Sequence, residues 1–204
     1  MKKAAFIIFL VLLFDQLLKI WIKLHMTIGE EIPMIGKWFY LYFTENYGMA
    51  FGMQIGGEWG KLTLSIFRIL AVIAIGIYLY VIIKRKKPFG LVLSISLIFA
   101  GALGNIIDSA FYGLIFTEST YHTVARFVKA GEGYAGFLDG KVVDMFYFPL
   151  IVLQQSDVPS WVPRFIFEPD GRFIFFRPIF NLADSSITVG VFYLILFQRR
   201  NLHL

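Results

Sequence analysis

FNLADSSITVGVFYLILF, Phe180 to Phe197, decides how this chain is read. From Ile187 onward it is a helix suited to hydrocarbon, yet Asn181 and the ionisable Asp184 stand at its start. A charge at bilayer depth costs about 2.5 to 3.5 kcal/mol on insertion scales, so a carboxylate kept there calls for a role.

The rest of the composition places that helix in a membrane protein. The chain has 204 residues, 58% of them hydrophobic and 18% aromatic, with a mean hydropathy of +0.71, too apolar for a soluble domain of this length. The net charge of +5 does not point to nucleic acid, because the basic residues gather beside apolar runs, where they set membrane orientation. Cysteine is absent, which excludes disulfides, thiolate chemistry and cysteine metal sites.

Four stretches reach the length of about 20 residues needed to cross a bilayer: roughly 4–22, 62–83, 89–107 and 179–197. The expected architecture is one mainly α integral-membrane domain over 1–204, with four transmembrane helices and a small β-rich region outside the cytoplasm. The first stretch has the basic start and apolar middle of a signal peptide. It has no small-x-small cleavage site, however, and Asp15 and Lys19 interrupt it.

Basic residues orient the spans. Lys2 and Lys3, the run Lys84 to Lys87, and Arg199 with Arg200 flank alternate ends, so all three belong in the cytoplasm together with both termini. Segments 23–61 and 108–178 then face outward. WFYLYFT, Trp38 to Thr44, reads as a strand, followed by glycine-rich turns. RFIFEPDGRFIFF, Arg164 to Phe176, reads as a hairpin turning at Glu168 to Gly171, and TVARFVKAG, Thr123 to Gly131, as a short interfacial helix.

The polar residues of the spans gather at this outer level. FDQLLK sets Asp15 and Lys19 one helical turn apart; ENYGMAFG carries Asn46 and Gly48; GALGNIIDS carries Asn105 and Asp108; KVVDMFYF carries Asp144; and FNLADSS carries Asn181 and Asp184. Five pieces of chain therefore bring carboxylates or amides to one membrane face.

These five motifs, in this order, resemble the conserved boxes of the lipoprotein signal peptidases, the type II signal peptidases. The resemblance covers the spans and their flanks, about two thirds of the chain. It implies an aspartyl endopeptidase of the bacterial inner membrane that acts on lipid-modified prolipoproteins, cutting before the diacylglyceryl cysteine, with no cofactor and no metal. Carried over by motif, the catalytic pair is Asp144 of VVDMF and Asp184 of FNLAD, supported by Asp15, Lys19, Asn46, Gly48, Asn105, Asp108 and Asn181. The chain departs from the family pattern at Ser109, where arginine is usual, and in two long outer stretches, about 114–141 and 149–176.

The chemistry stands without the family. Two carboxyls sharing one proton can hydrolyse a peptide: the ionised one takes a proton from water and the neutral one protonates the carbonyl oxygen. Each residue also has a plainer reading. Asp184 alone suits a helix cap, Asp144 a strand edge, Asp139 a turn and Asp15 with Lys19 a structural pair, while the three asparagines serve equally for joining helices or contacting substrate. Arg68, inside the second span, calls for a partner, with Asp15 or Asp108 as candidates. The scattered His25, His122 and His203 form no HExxH, and no GxSxG elbow is present. The alternative from another class is a small transporter or proton relay. That reading wants polar groups spread through the depth of the membrane, whereas these crowd one end.

Overall fold

The computed structural model describes residues 1–47, 57–159, 161–168 and 170–201, with only the backbone for 57–62. Gly48 and most of the glycine-rich stretch after it lie outside the described residues. The helices are α1 (Lys2–His25), α2 (Gly57–Lys84), α3 (Phe89–Ile107), α4 (Gly113–Ile115) and α5 (Leu182–Tyr193). Lys2–His25, Thr63–Lys84 and Phe89–Ile115 are long and apolar enough to cross a membrane. Large apolar side chains such as Phe6, Phe9, Phe67, Ile73 and Ile77 point outward from α1 and α2, as hydrocarbon requires and water would not favour.

The region expected as a fourth span begins differently. Ile179–Phe180 is a short strand, and the helix starts at Leu182 because Asn181 caps it in a reciprocal capping box with Asp184. After Tyr193 the helix continues as a π-turn, Leu194–Gln198.

α3 is the central helix and packs against α1, α2 and α5. Glycine makes the closest crossing possible: a Cβ on Gly101 would run into the Ala183 carbonyl, and one on Gly104 would sit 2.8 Å from Asp15 Oδ2. One apolar core, with Leu79, Ile82, Leu91 and Ile95, fills the end of the bundle away from the sheet. A second, with Ile22, Phe43, Tyr112, Val143 and Met145, joins the bundle to the sheet.

That sheet has strands β1 (Glu31–Ile35), β2 (Phe39–Asn46), β3 (Val142–Tyr147) and β6 (Ile179–Phe180), antiparallel in the order β1-β2-β3-β6. β4 (Ile151–Gln154) and β5 (Arg172–Phe175) form a separate hairpin-like sheet. The turn at Glu168 to Gly171 forms, closed by Gly171 N–H donating to the Glu168 carbonyl at 2.9 Å. The expected partner run does not become a strand: Arg164–Ile166 coils into a 3₁₀ turn, and the apolar run Ile151–Gln154 pairs with β5 instead. The expected interfacial helix is also absent. Thr117 N–H bonds to the Arg126 carbonyl and Val128 N–H to that of Ile115, and Phe116 stacks on Phe127 at 4.7 Å, so long-range pairing overrides the local helical signal.

Candidate active site

Lys19 is the hub of the site. It stands one turn after Asp15 on α1, both fully buried, and its ammonium reaches Asp15 Oδ2 at 2.9 Å, Asp108 Oδ2 at 2.8 Å and Asn105 Oδ1 at 2.9 Å. An ammonium has three N–H donors, and each has an acceptor. The two carboxylates carry the connection outward. Asp15 Oδ1 accepts the Ala183 N–H at 2.9 Å, tying α1 to the first turn of α5, while Asp108 accepts from Gln16 Nε2 at 2.9 Å and from the Val143 N–H at 3.3 Å. Asp108 begins a π-turn, Asp108–Tyr112, that interrupts the end of α3 at this point.

The hub orients the amides above it. Because Asn105 Oδ1 accepts from Lys19, its Nδ2 faces outward and donates to Asp184 Oδ1 at 2.8 Å. Asn181 Nδ2 lies 3.1 Å from the same Asn105 oxygen and donates to Asp144 Oδ1 at 2.8 Å. Asn181 also accepts the Asp184 N–H at 2.9 Å, and its own N–H points at Asp184 Oδ2 at 3.3 Å. The two aspartates are thus joined through two amides whose directions are set by a buried cation.

Strand alternation aims Asp144. Val143 and Met145 point into the apolar core, so the side chain between them turns the opposite way, toward α3 and α5. Its second oxygen accepts from the Asn46 amide of β2, where Asp144 pairs with Thr44. Burial pushes the Asp144 carboxyl up to about 7, and the charge of Asp184 acts in the same direction against Lys19 and the two amide donors. Asp184, half-buried at a helix N-terminus with two N–H groups on its oxygens, sits where negative charge is favoured.

The structure therefore brings together Asp15, Lys19, Asn46, Asn105, Asp108, Asp144, Asn181 and Asp184, leaving only Gly48 outside the described residues. Asp15 and Asp108, the candidates for Arg68, both pair with Lys19. Asp139 closes a turn, its N–H donating to the Gly136 carbonyl at 3.1 Å.

Four further residues join the network that the sequence does not single out: Gln16, Lys23, Glu45 and Ser119. Gln16 bridges Asp108 and the Tyr112 hydroxyl, and a buried ion pair joins Lys23 of α1 to Glu45 of β2, with Ser119 Oγ 3.0 Å from the lysine. The signal for Lys23 was present: Asp15, Lys19 and Lys23 recur every four residues, which puts them on one face of α1. Gln16 and Glu45 carry no such pattern.

The chain is thus a helix bundle capped by a small sheet, with two carboxyls joined through a pair of amides, a donor set that acid–base chemistry can use. Residues 7–199 match the family described as signal peptidase (SPase) II, and the chain belongs to that family of aspartic peptidases. The lipoprotein signal peptidase of Porphyromonas gingivalis is 42% identical over 207 residues, spanning all of this chain and 85% of that one. The lipoprotein signal peptidase of Amoebophilus asiaticus is 37% identical over 95% of this chain and 76% of its own length. A bacterial membrane enzyme solved by the in meso method at 1.9 Å resolution aligns with a TM-score of 0.60 at 27% identity, over 96% of this chain and 92% of that one. Nothing in these likenesses favours a transporter or proton relay.

Proposed function

We propose that Asp144 and Asp184 are the catalytic pair with which this peptidase removes the signal peptide from diacylglyceryl-modified prolipoproteins, cutting before the lipidated cysteine. The observation that carries the reading is the linkage of the two carboxyls through Asn105 and Asn181, each amide held in one orientation. Asp144, pushed up to about 7 by burial and by the charge of Asp184, is the neutral partner.

Water enters between them. Asp184 takes its proton as the oxygen attacks the scissile carbonyl carbon, and Asp144 gives its proton to the carbonyl oxygen, forming a gem-diol. Asp144 then recovers a proton from the gem-diol while Asp184 passes its own to the nitrogen. The C–N bond breaks, leaving a carboxylic acid on the signal peptide and a free amine on the cysteine. Both aspartates return to their starting states.

The substrate's two acyl chains stay in the bilayer, at about 0.8 kcal/mol per buried CH₂, so the enzyme needs only to meet the cysteine at the interface. That places the site at the outer end of four spans, the run 182–198 being the fourth, in the bacterial cytoplasmic membrane with both termini inside. The alternating basic clusters support this orientation. The test is cleavage of a diacylglyceryl-modified prolipoprotein peptide by the purified protein. Asp144→Asn and Asp184→Asn should each abolish it while the protein stays folded, and an unlipidated precursor should be a poor substrate. Full turnover by either variant would overturn the assignment.

A further inference from the structure

Lys23 stands one turn beyond Lys19 on α1, and the mechanism above makes no use of it. It is fully buried, its ammonium enclosed by the rings of Phe116 at 5.3 Å and Tyr134 at 5.4 Å. It pairs with Glu45 Oε1, and Ser119 Oγ lies 3.0 Å from both, so the three groups close a triangle that joins α1, β2 and the outer stretch after α4. The Ala125 N–H, donating to the Lys23 carbonyl at 3.0 Å, fastens that stretch to the same turn of α1. As a source of stability the pair is poor: it lies out of water, and Glu45 Oε2 makes no hydrogen bond among the described residues. Such a pair adds little over apolar side chains of similar volume; what it can do is fix an arrangement.

The arrangement in question is the end of β2. Glu45 and Asn46 are the last two residues of that strand, opposite Val143 and Val142 of β3, and successive side chains of a strand point to opposite faces. With Glu45 pinned on one face, Asn46 is presented on the other, where its amide donates to Asp144. The second amide on Asp144, that of Asn181, is set from the capped start of α5.

We propose that Lys23 and Glu45 are positioning residues for the reaction, holding the end of β2 so that Asn46 meets Asp144. The proposal rests on the assignment of Asp144 and Asp184 as the catalytic pair. Two lysines one turn apart on α1 then hold one amide each: Lys19 sets Asn105, which donates to Asp184, and Lys23 sets Asn46 for Asp144 through Glu45. A single rigid helix thereby fixes a donor on each side of the pair, and with them the spacing of the two carboxyls.

The experiment measures kcat, KM and melting temperature on the purified full chain in lipid, with a diacylglyceryl-modified peptide as substrate. The variants are Lys23→Met combined with Glu45→Leu, Asn46→Ala, the triple combination, and Ser119→Ala. The Lys23→Met, Glu45→Leu protein loses both charges but keeps the buried volume. It should melt at or above wild type while kcat falls at least about tenfold and KM stays within about twofold. Asn46→Ala should lower kcat to a similar extent, and the triple variant should lose no more than about twofold beyond it, because both changes break one path. Ser119→Ala, which removes one side of the triangle, should lower kcat about threefold. A folded Lys23→Met, Glu45→Leu protein with wild-type kcat overturns the proposal, and so does a loss that multiplies in full with that of Asn46→Ala. If that protein is not recovered folded, Ser119→Ala decides, and wild-type kcat there overturns the proposal. Asp144→Asn is run alongside: turnover by that variant would overturn the pair itself, whereas an unchanged kcat in the Lys23 and Glu45 variants overturns only the positioning role.

Discussion

The cluster around Lys19 and the outer lobe of residues 149–178 both pair charges, but only the cluster does so out of water. Asp15, Lys19 and Asp108 are fully buried, and every ammonium proton has an acceptor, one on α1 and two at the end of α3. In the lobe, Arg172 meets Asp170 at 2.6 Å and Arg177 meets Glu168 at 3.0 Å, with the arginines more than half exposed. The first arrangement specifies a structure because its members have no alternative partners. The second leaves Arg172 and Asp170, both about half exposed, free to exchange each other for water at little cost.

The largest effect should therefore come from breaking the buried hub. Lys19→Met leaves Asp15 and Asp108 facing one another without a cation, a loss of the order of 3 to 5 kcal/mol, and releases the orientation of Asn105. We expect a large fall in melting temperature in detergent and cleavage at least about a hundredfold down. A variant that melts like wild type would show that the network is ornamental to the fold.

Asn105→Ala separates orientation from stability. It removes the donor to Asp184 and the acceptor shared by Lys19 and Asn181, yet leaves the ion pairs in place. Cleavage should fall by roughly 10²-fold, the scale for a misplaced catalytic group, with a smaller loss of stability of about 1 to 2 kcal/mol. Near-normal kcat in this variant would mean that the amides merely join helices.

The third test uses pH. Asp144 titrates near its ordinary value when unfolded, about 3.9, and is pushed up to about 7 in the folded protein. A raised carboxyl stabilises the fold fully below the unfolded value, and that contribution is lost as pH climbs through the folded one. Wild-type stability from this group should thus decline between about pH 4 and 7, and cleavage should decline above about 7 as the neutral acid disappears. Asp144→Asn removes the titration. Its unfolding free energy should overtake that of wild type as pH rises, by up to roughly 4 kcal/mol less about 1 kcal/mol for the amide donor left unmatched. An advantage that does not change with pH would place the titrating group elsewhere.

The same contrast explains what the sequence disclosed. Carboxylates and amides at the ends of apolar runs are conspicuous, because hydrocarbon makes every polar residue an exception, and Asp15, Lys19, Asn105, Asp108, Asn181 and Asp184 were all legible that way. In the outer segments no such background exists. The runs RFIF and TVARFV are equally suited to strand, turn or helix, and it is long-range pairing, of β5 with β4 and of Phe116 with Phe127, that decides.

The smallest effect belongs to the lobe. Arg172→Ala removes the contact with Asp170 while leaving β5 paired to β4 through its backbone, which Val152 with Ile174 and Leu153 with Phe173 hold in register. Both charges are solvated before and after the change, so the melting temperature should stay within error of wild type, and cleavage of the lipidated peptide should be unaffected. Ionic strength supplies the companion measurement. Raising salt from about 0.05 to 1 M shortens the screening length from roughly 14 to 3 Å, which weakens exposed pairs but hardly reaches a cluster closed off by α1, α3 and β3. Wild type and Arg172→Ala should respond to salt alike. A marked loss of turnover in Arg172→Ala, with stability unchanged, would instead tie the lobe to the substrate and end the division between a buried machine and a solvated surface.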